Sequence, residues 1–167
     1  PDKKVLLFET LNSEIPAYTF SISMYGACYL AGGVVLPFTS DKVAVLCGNS
    51  NDATVKSAAD GFVKGYTDQG GESADIFCLA DDWTGYAMPD SAYRMVARLA
   101  GEYSYFFPLA GGSNLGMFRY AREYPDDLYM AGMDVDQSGY SSRITCSVVK
   151  NIDRLVGHYL NLWLEGE

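Results

Sequence analysis

The chain has 167 residues, 49% hydrophobic and 20% charged, a balance that supports a packed core and excludes wholesale disorder. Twelve Lys and Arg against 21 Asp and Glu give a net charge of -9, which argues against a nucleic-acid or anionic-membrane surface, since both need a basic footprint. A single histidine, His158, excludes a multi-histidine metal site.

Along the chain, Pro1-Asp2-Lys3-Lys4 runs straight into the apolar Val5-Leu6-Leu7-Phe8. No signal peptide or lipobox is legible there, and the start fits both a natural terminus and a piece of a longer protein. The longest apolar stretch, Ala27 to Phe38, is broken by Gly32-Gly33 and Pro37. It is too short to span a bilayer and is expected to be a buried helix. Strands are predicted at 4–9, 42–47, 74–79, 105–110, 128–133 and 143–149. They are short continuous apolar runs, as parallel strands covered on both faces require.

Helices are predicted between them. Over 51–69 the positions Val55, Ala58, Ala59, Phe62, Val63 and Tyr66 recur at helical spacing until Gly70-Gly71. A second helix opens at Pro89, and Ser113 is the expected cap of a third. The last carries Ile152, Leu155, Val156, Tyr159, Leu160 and Trp163 on one face. Repeated β-α units of this kind specify an α/β fold with a doubly wound, mainly parallel sheet.

Such a sheet binds ligands beyond the carboxyl ends of its strands. The residues there are Gly48-Asn49-Ser50, Ala80-Asp81-Asp82-Trp83, Gly111-Gly112-Ser113-Asn114, Asp134-Val135-Asp136 and Lys150. The loop of Gly111, Gly112 and Asn114 suits close backbone approach to a polar ligand, or simply a tight turn. Trp83 is either an aromatic wall for a ring or cover for the core edge. Asp134 to Gly139 begins like a calcium loop, yet position 12 is Thr145 where a glutamate is needed, so no metal is expected. A carboxylate there is better suited to accepting hydrogen bonds from paired hydroxyls. His158 falls on the polar side of its helix. The four cysteines, Cys28, Cys47, Cys78 and Cys146, have apolar neighbours and no metal spacing, and are expected to be reduced and buried. No nucleophile–base pair, metal cluster or cofactor fingerprint is present, so no catalysis and no cofactor are expected.

Six segments in register carry a resemblance: Tyr25–Gly33, Lys42–Asn49, Gly61–Gly65, Phe107–Gly116, Gly132–Gln137 and Ser147–Asp153. Together they resemble the basic membrane protein (BMP, PnrA-like) family of substrate-binding lipoproteins of ABC transporters. The resemblance implies a type I periplasmic-binding-protein fold, two α/β lobes with ligand between them, and often a purine nucleoside as that ligand. By it, Asp134 looks like the carboxylate that binds ribose hydroxyls, Lys150 like the cleft lysine, and Gly111-Gly112 like the loop against the ligand. Asn49, Asn114 and Trp83 complete the expected ligand-binding set. The family's ring-stacking aromatic and first-lobe acid have no counterpart in this chain.

The resemblance further implies residues 1–18 as a first-lobe strand and hinge, 19–137 as a second lobe, and 138–167 as a return segment and first-lobe helix. The expected protein is an extracytoplasmic, lipid-anchored solute-binding component that meets an ABC permease, with self-association of a single lobe. The alternatives are the effector-sensing domain of a regulator or receptor, and a Rossmann-like nucleotide-using transferase. Fold analogy alone does not choose among them.

Overall fold

A computed structural model of the chain describes residues 5–9, 14, 17–72 and 74–165. Its main body is a five-stranded sheet of β3 (Lys42–Asn49), β4 (Ala74–Ala80), β5 (Tyr103–Leu109), β6 (Tyr129–Asp134) and β7 (Ile144–Val149). Every pairing is parallel, and the order across the sheet is β4-β3-β5-β6-β7. The interior strand β3 is buried from Val43 onward, because helices cover both faces. Val43, Val45 and Cys47 pack toward α1 (Tyr25–Gly33) and α2 (Ala53–Asp68), where Phe62 stacks on Phe107 at 4.3 Å. Ala44 and Leu46 face α3 (Pro89–Leu99) and α4 (Asn114–Glu123) through Val96, Phe106, Met117 and Phe118. Alternate residues of one apolar run thus feed two cores, as a doubly wound sheet demands.

A smaller unit stands beside this body. β1 (Leu6–Phe8) pairs in parallel with β2 (Tyr18–Phe20), and α5 (Ile152–Glu165) lies against them, Phe20 meeting Tyr159 at 4.4 Å. Lys4, where the first strand was expected to begin, lies outside the described residues.

Three expectations shift. The stretch Ala27 to Phe38 is not one buried helix. α1 ends at Gly33, a short 3-10 turn follows at Leu36–Phe38, and Leu30, Val34, Leu36 and Phe38 are exposed. Only the α1 face that meets α2 is covered, with Cys28, Ala31 and Gly32 buried. The boundaries also move, since β2 straddles residue 18 and β7 hydrogen-bonds β6 in the larger sheet. The chain therefore returns to the smaller unit after Val149, not after Gln137. Ser113, finally, does not cap α4. Its hydroxyl donates to the Gly85 carbonyl at 2.7 Å and accepts from the Met88 N–H at 2.7 Å, which ties two loops together.

Candidate ligand-binding cleft

The carboxyl ends of β3, β4, β5 and β6 open onto a cleft of about 380 Å³, lined among others by Asp52, Trp83, Tyr86, Gly111, Asp134 and Lys150. Its base is a charge cluster. The Lys150 side chain is 13% exposed, and its ammonium lies 3.3 Å from Asp134 Oδ1 and 3.8 Å from Glu9 Oε2. The backbone reinforces it, since the Lys150 N–H donates to the Asp134 carbonyl at 2.9 Å.

Glu9 and Asp134 are also the two non-glycine residues with positive φ among those described, +56° and +73°. Left-handed backbone is uncommon for a residue with a side chain, although Asp tolerates it better than most. Both carboxylates thus leave their strand ends on unusual backbone and converge on one lysine. Asp134 keeps half of its side chain exposed, so oxygen lone pairs remain to accept bonds from the cleft. Behind this cluster the thiol of Cys28 is pushed up to about 12, chiefly by burial.

Another part of the cleft lining is aromatic. Trp83 is 72% exposed and lies 5.7 Å, centroid to centroid, from Tyr86. Tyr86 is seated by close backbone approaches. A Cβ on Gly48 would come within 2.6 Å of its ring, and one on Gly111 (φ +53°) within 3.2 Å. Its hydroxyl donates to Asp52 Oδ2 at 2.6 Å, while Asp52 Oδ1 caps α2 by accepting from the Thr54 and Val55 N–H groups. Burial first, then the Asp52 carboxylate, raises the Tyr86 phenol above its ordinary range.

Of the expected ligand-binding residues, Asp134, Lys150, Gly111 and Trp83 line the cleft together. Asn49, Gly112 and Asn114 are not among its lining. The Asn49 side chain accepts from the Asn51 N–H and shapes the turn before α2. Asn114 is buried, accepts from the Ala110 N–H at 2.9 Å and donates to the Pro108 carbonyl at 3.4 Å. It completes the end of β5, where pairing with β6 has stopped at Phe106. Gly112 packs so closely that a Cβ would meet the Tyr86 carbonyl at 3.0 Å.

Sequence reasoning missed Glu9, Asp52 and Tyr86. All three signals were present: Glu9 ends the first strand, Asp52 precedes a helix as a capping residue should, and Tyr86 follows Trp83 in the same loop.

Comparison with known proteins places the fold. No family model matches the sequence, and no curated protein matches it. Among solved structures, the chain is similar to an ABC transporter solute-binding protein from Aeropyrum pernix K1, with TM-score 0.77, 18% identity, and 98% of this chain covering 49% of that one. It is similar to a transcriptional activator of the comK gene from Bacillus halodurans, with TM-score 0.72, 21% identity, and 96% of this chain covering 50% of that one. A LacI family transcriptional regulator from Enterococcus faecium, solved with bound ribose, aligns with TM-score 0.69 and 20% identity, 97% of this chain covering 61% of that one. The chain thus spans about half the length of the first two solved proteins. Its fold is that of the type I periplasmic-binding-protein group, shared by solute-binding proteins and by the sensing domains of regulators.

Proposed function

We propose that this chain is the ligand-gripping part of a solute-binding component of an ABC importer, of the basic membrane protein kind, extracytoplasmic and lipid-anchored in its full form. It binds without catalysis and hands its solute to a permease. The ligand is small, hydroxyl-rich and ring-containing, in the class of purine nucleosides. One observation carries this reading: a half-exposed carboxylate, Asp134, held by Lys150, lines one cleft with an exposed aromatic, Trp83. A carboxylate with free lone pairs accepts two hydroxyl hydrogen bonds, and an indole face covers a ring.

The regulator-type reading has support of its own in the likeness to the LacI family regulator with bound ribose. The two differ in ligand as well as location. Thermal-shift measurements on the full-length protein with purine nucleosides and with free pentoses separate them, and Asp134→Asn supplies the control. Asparagine keeps the size and tolerates left-handed backbone, whereas alanine does not. The expected result is stabilisation by nucleosides that Asp134→Asn abolishes, with the unliganded melting temperature nearly unchanged. Equal ligand shifts in variant and parent would exclude Asp134 from the site.

A further inference from the structure

Beside the cleft, β3 and β4 hold two thiols directly opposite each other, for Cys47 and Cys78 are register partners on adjacent parallel strands. Neighbouring strands lie about 4.8 Å apart, within the roughly 4.4–6.8 Å between Cα atoms that a disulfide spans. Both side chains point to the same face, and both pack into the core beneath α2. Burial first, then Cys78 beside it, pushes the Cys47 thiol up to about 12. Cys47 is buried, but Cys78 on the sheet-edge strand is only partly so. A cavity of about 150 Å³, lined also by Val55, Lys56, Ala59 and Ile76, reaches both cysteines.

We propose that Cys47 and Cys78 form a reversible thiol–disulfide site that reacts with small-molecule disulfides. Cys78, the more accessible, gives its proton to solvent, and its sulfur attacks one sulfur of the reagent. The reagent's S–S bond breaks, and half of it leaves as a thiol. Cys47 then loses its proton and attacks the Cys78 sulfur, expelling the second half as a thiol. The protein loses two electrons and two protons, and the reagent gains them. Closure between adjacent parallel strands strains the bridge, and strained bridges are the readily reduced ones. Cys47 is buried and Cys78 only partly so, so the reagent meets Cys78 first and Cys47 acts second, on the mixed disulfide held beside it.

The test uses the whole chain and oxidised glutathione. Reduced protein should titrate four thiols in denaturant, matching its four cysteines. After incubation the count should fall by half, the mass should drop by two hydrogens with no glutathione retained, and dithiothreitol should restore it. Tryptic digestion separates the two cysteines, since Lys56 and Lys64 lie between them, so one linked peptide pair should join Cys47 to Cys78. In Cys47→Ala the reaction should stop at glutathione on Cys78. A bridge between other cysteines or between chains, a wild-type protein that retains glutathione, or four thiols surviving the incubation would each overturn the proposal.

Discussion

Among the described residues Lys150 is the only cation lining the cleft, and it has two carboxylate neighbours on different elements, Glu9 after β1 and Asp134 at the end of β6. Removing it leaves two anions facing each other in a partly covered site. Lys150→Met should therefore lower stability by about 1–3 kcal/mol, less than the loss of a fully buried pair because Asp134 is half solvated. Adding Asp134→Asn to that variant should restore part of the loss. Denaturant melts of the four proteins give the coupling, and strict additivity would contradict the cluster as drawn. Tyr86 is coupled more simply. Tyr86→Phe removes one hydrogen bond to the Asp52 carboxylate, made at 2.6 Å, and should cost about 1.5 kcal/mol in urea unfolding. Its cap on α2 is made by the other oxygen and should survive, so helicity should be unchanged.

At the scale of elements, α1 and α2 touch backbone to backbone. A Cβ on Gly65 would sit 1.9 Å from the Tyr29 carbonyl oxygen, and one on Gly61 2.4 Å from that of Tyr25. In a helix interior, Gly→Ala ordinarily stabilises by roughly 0.5–1 kcal/mol. Gly65→Ala should do the reverse, because the helices must part and the contact between Phe62 and Phe107 must loosen. Gly157 in α5 has open space where its Cβ would go, so Gly157→Ala should raise the melting temperature slightly. Opposite signs from the same exchange test the packing directly. The same contacts explain what the sequence made legible. β3, β5 and β6 were readable because strands covered on both faces are continuous apolar runs, and the edge strands β4 and β7 because their runs are nearly as apolar though less covered. The extent of α1 was not, because apolar content does not say which residues a neighbour covers: Leu30 is as apolar as a core residue yet 69% exposed. β2 is three residues, Tyr-Thr-Phe, too short to show a period. In the cleft, the strand-end rule found Asp134 and Lys150. It could not tell that Asn49 and Asn114 satisfy backbone groups, since a buried asparagine and a ligand-binding one are the same letter.

At the scale of the whole molecule, the smaller unit is unevenly covered. α5 has no buried residue, and Val156, Tyr159, Leu160 and Leu164 are 36%, 39%, 40% and 76% exposed. Within α5 the Trp163 indole N–H is itself buried with no hydrogen-bond partner among the described residues. A contiguous apolar surface of this kind favours association. The net charge of -9 opposes it, but at about 0.15 M salt such repulsion is screened beyond roughly 8 Å, whereas apolar contact is not weakened. Self-association of the 167-residue chain should therefore strengthen with salt, the opposite of an assembly held by ion pairs. Sedimentation velocity at low and high sodium chloride reads this directly. Leu160→Glu with Leu164→Glu should return the chain to monomer at both. The cleft predicts a companion result, because its lining comes from the five-stranded body and the helices and loops packed on it, plus Glu9, so a ligand there is gripped mainly from one side. Sites that hold small molecules tightly enclose most of their surface, so calorimetry with purine nucleosides should give weak binding or none for this chain in its monomeric variant, and tighter binding in the full-length protein. Micromolar binding by the monomeric 167-residue chain alone would show that the one wall suffices.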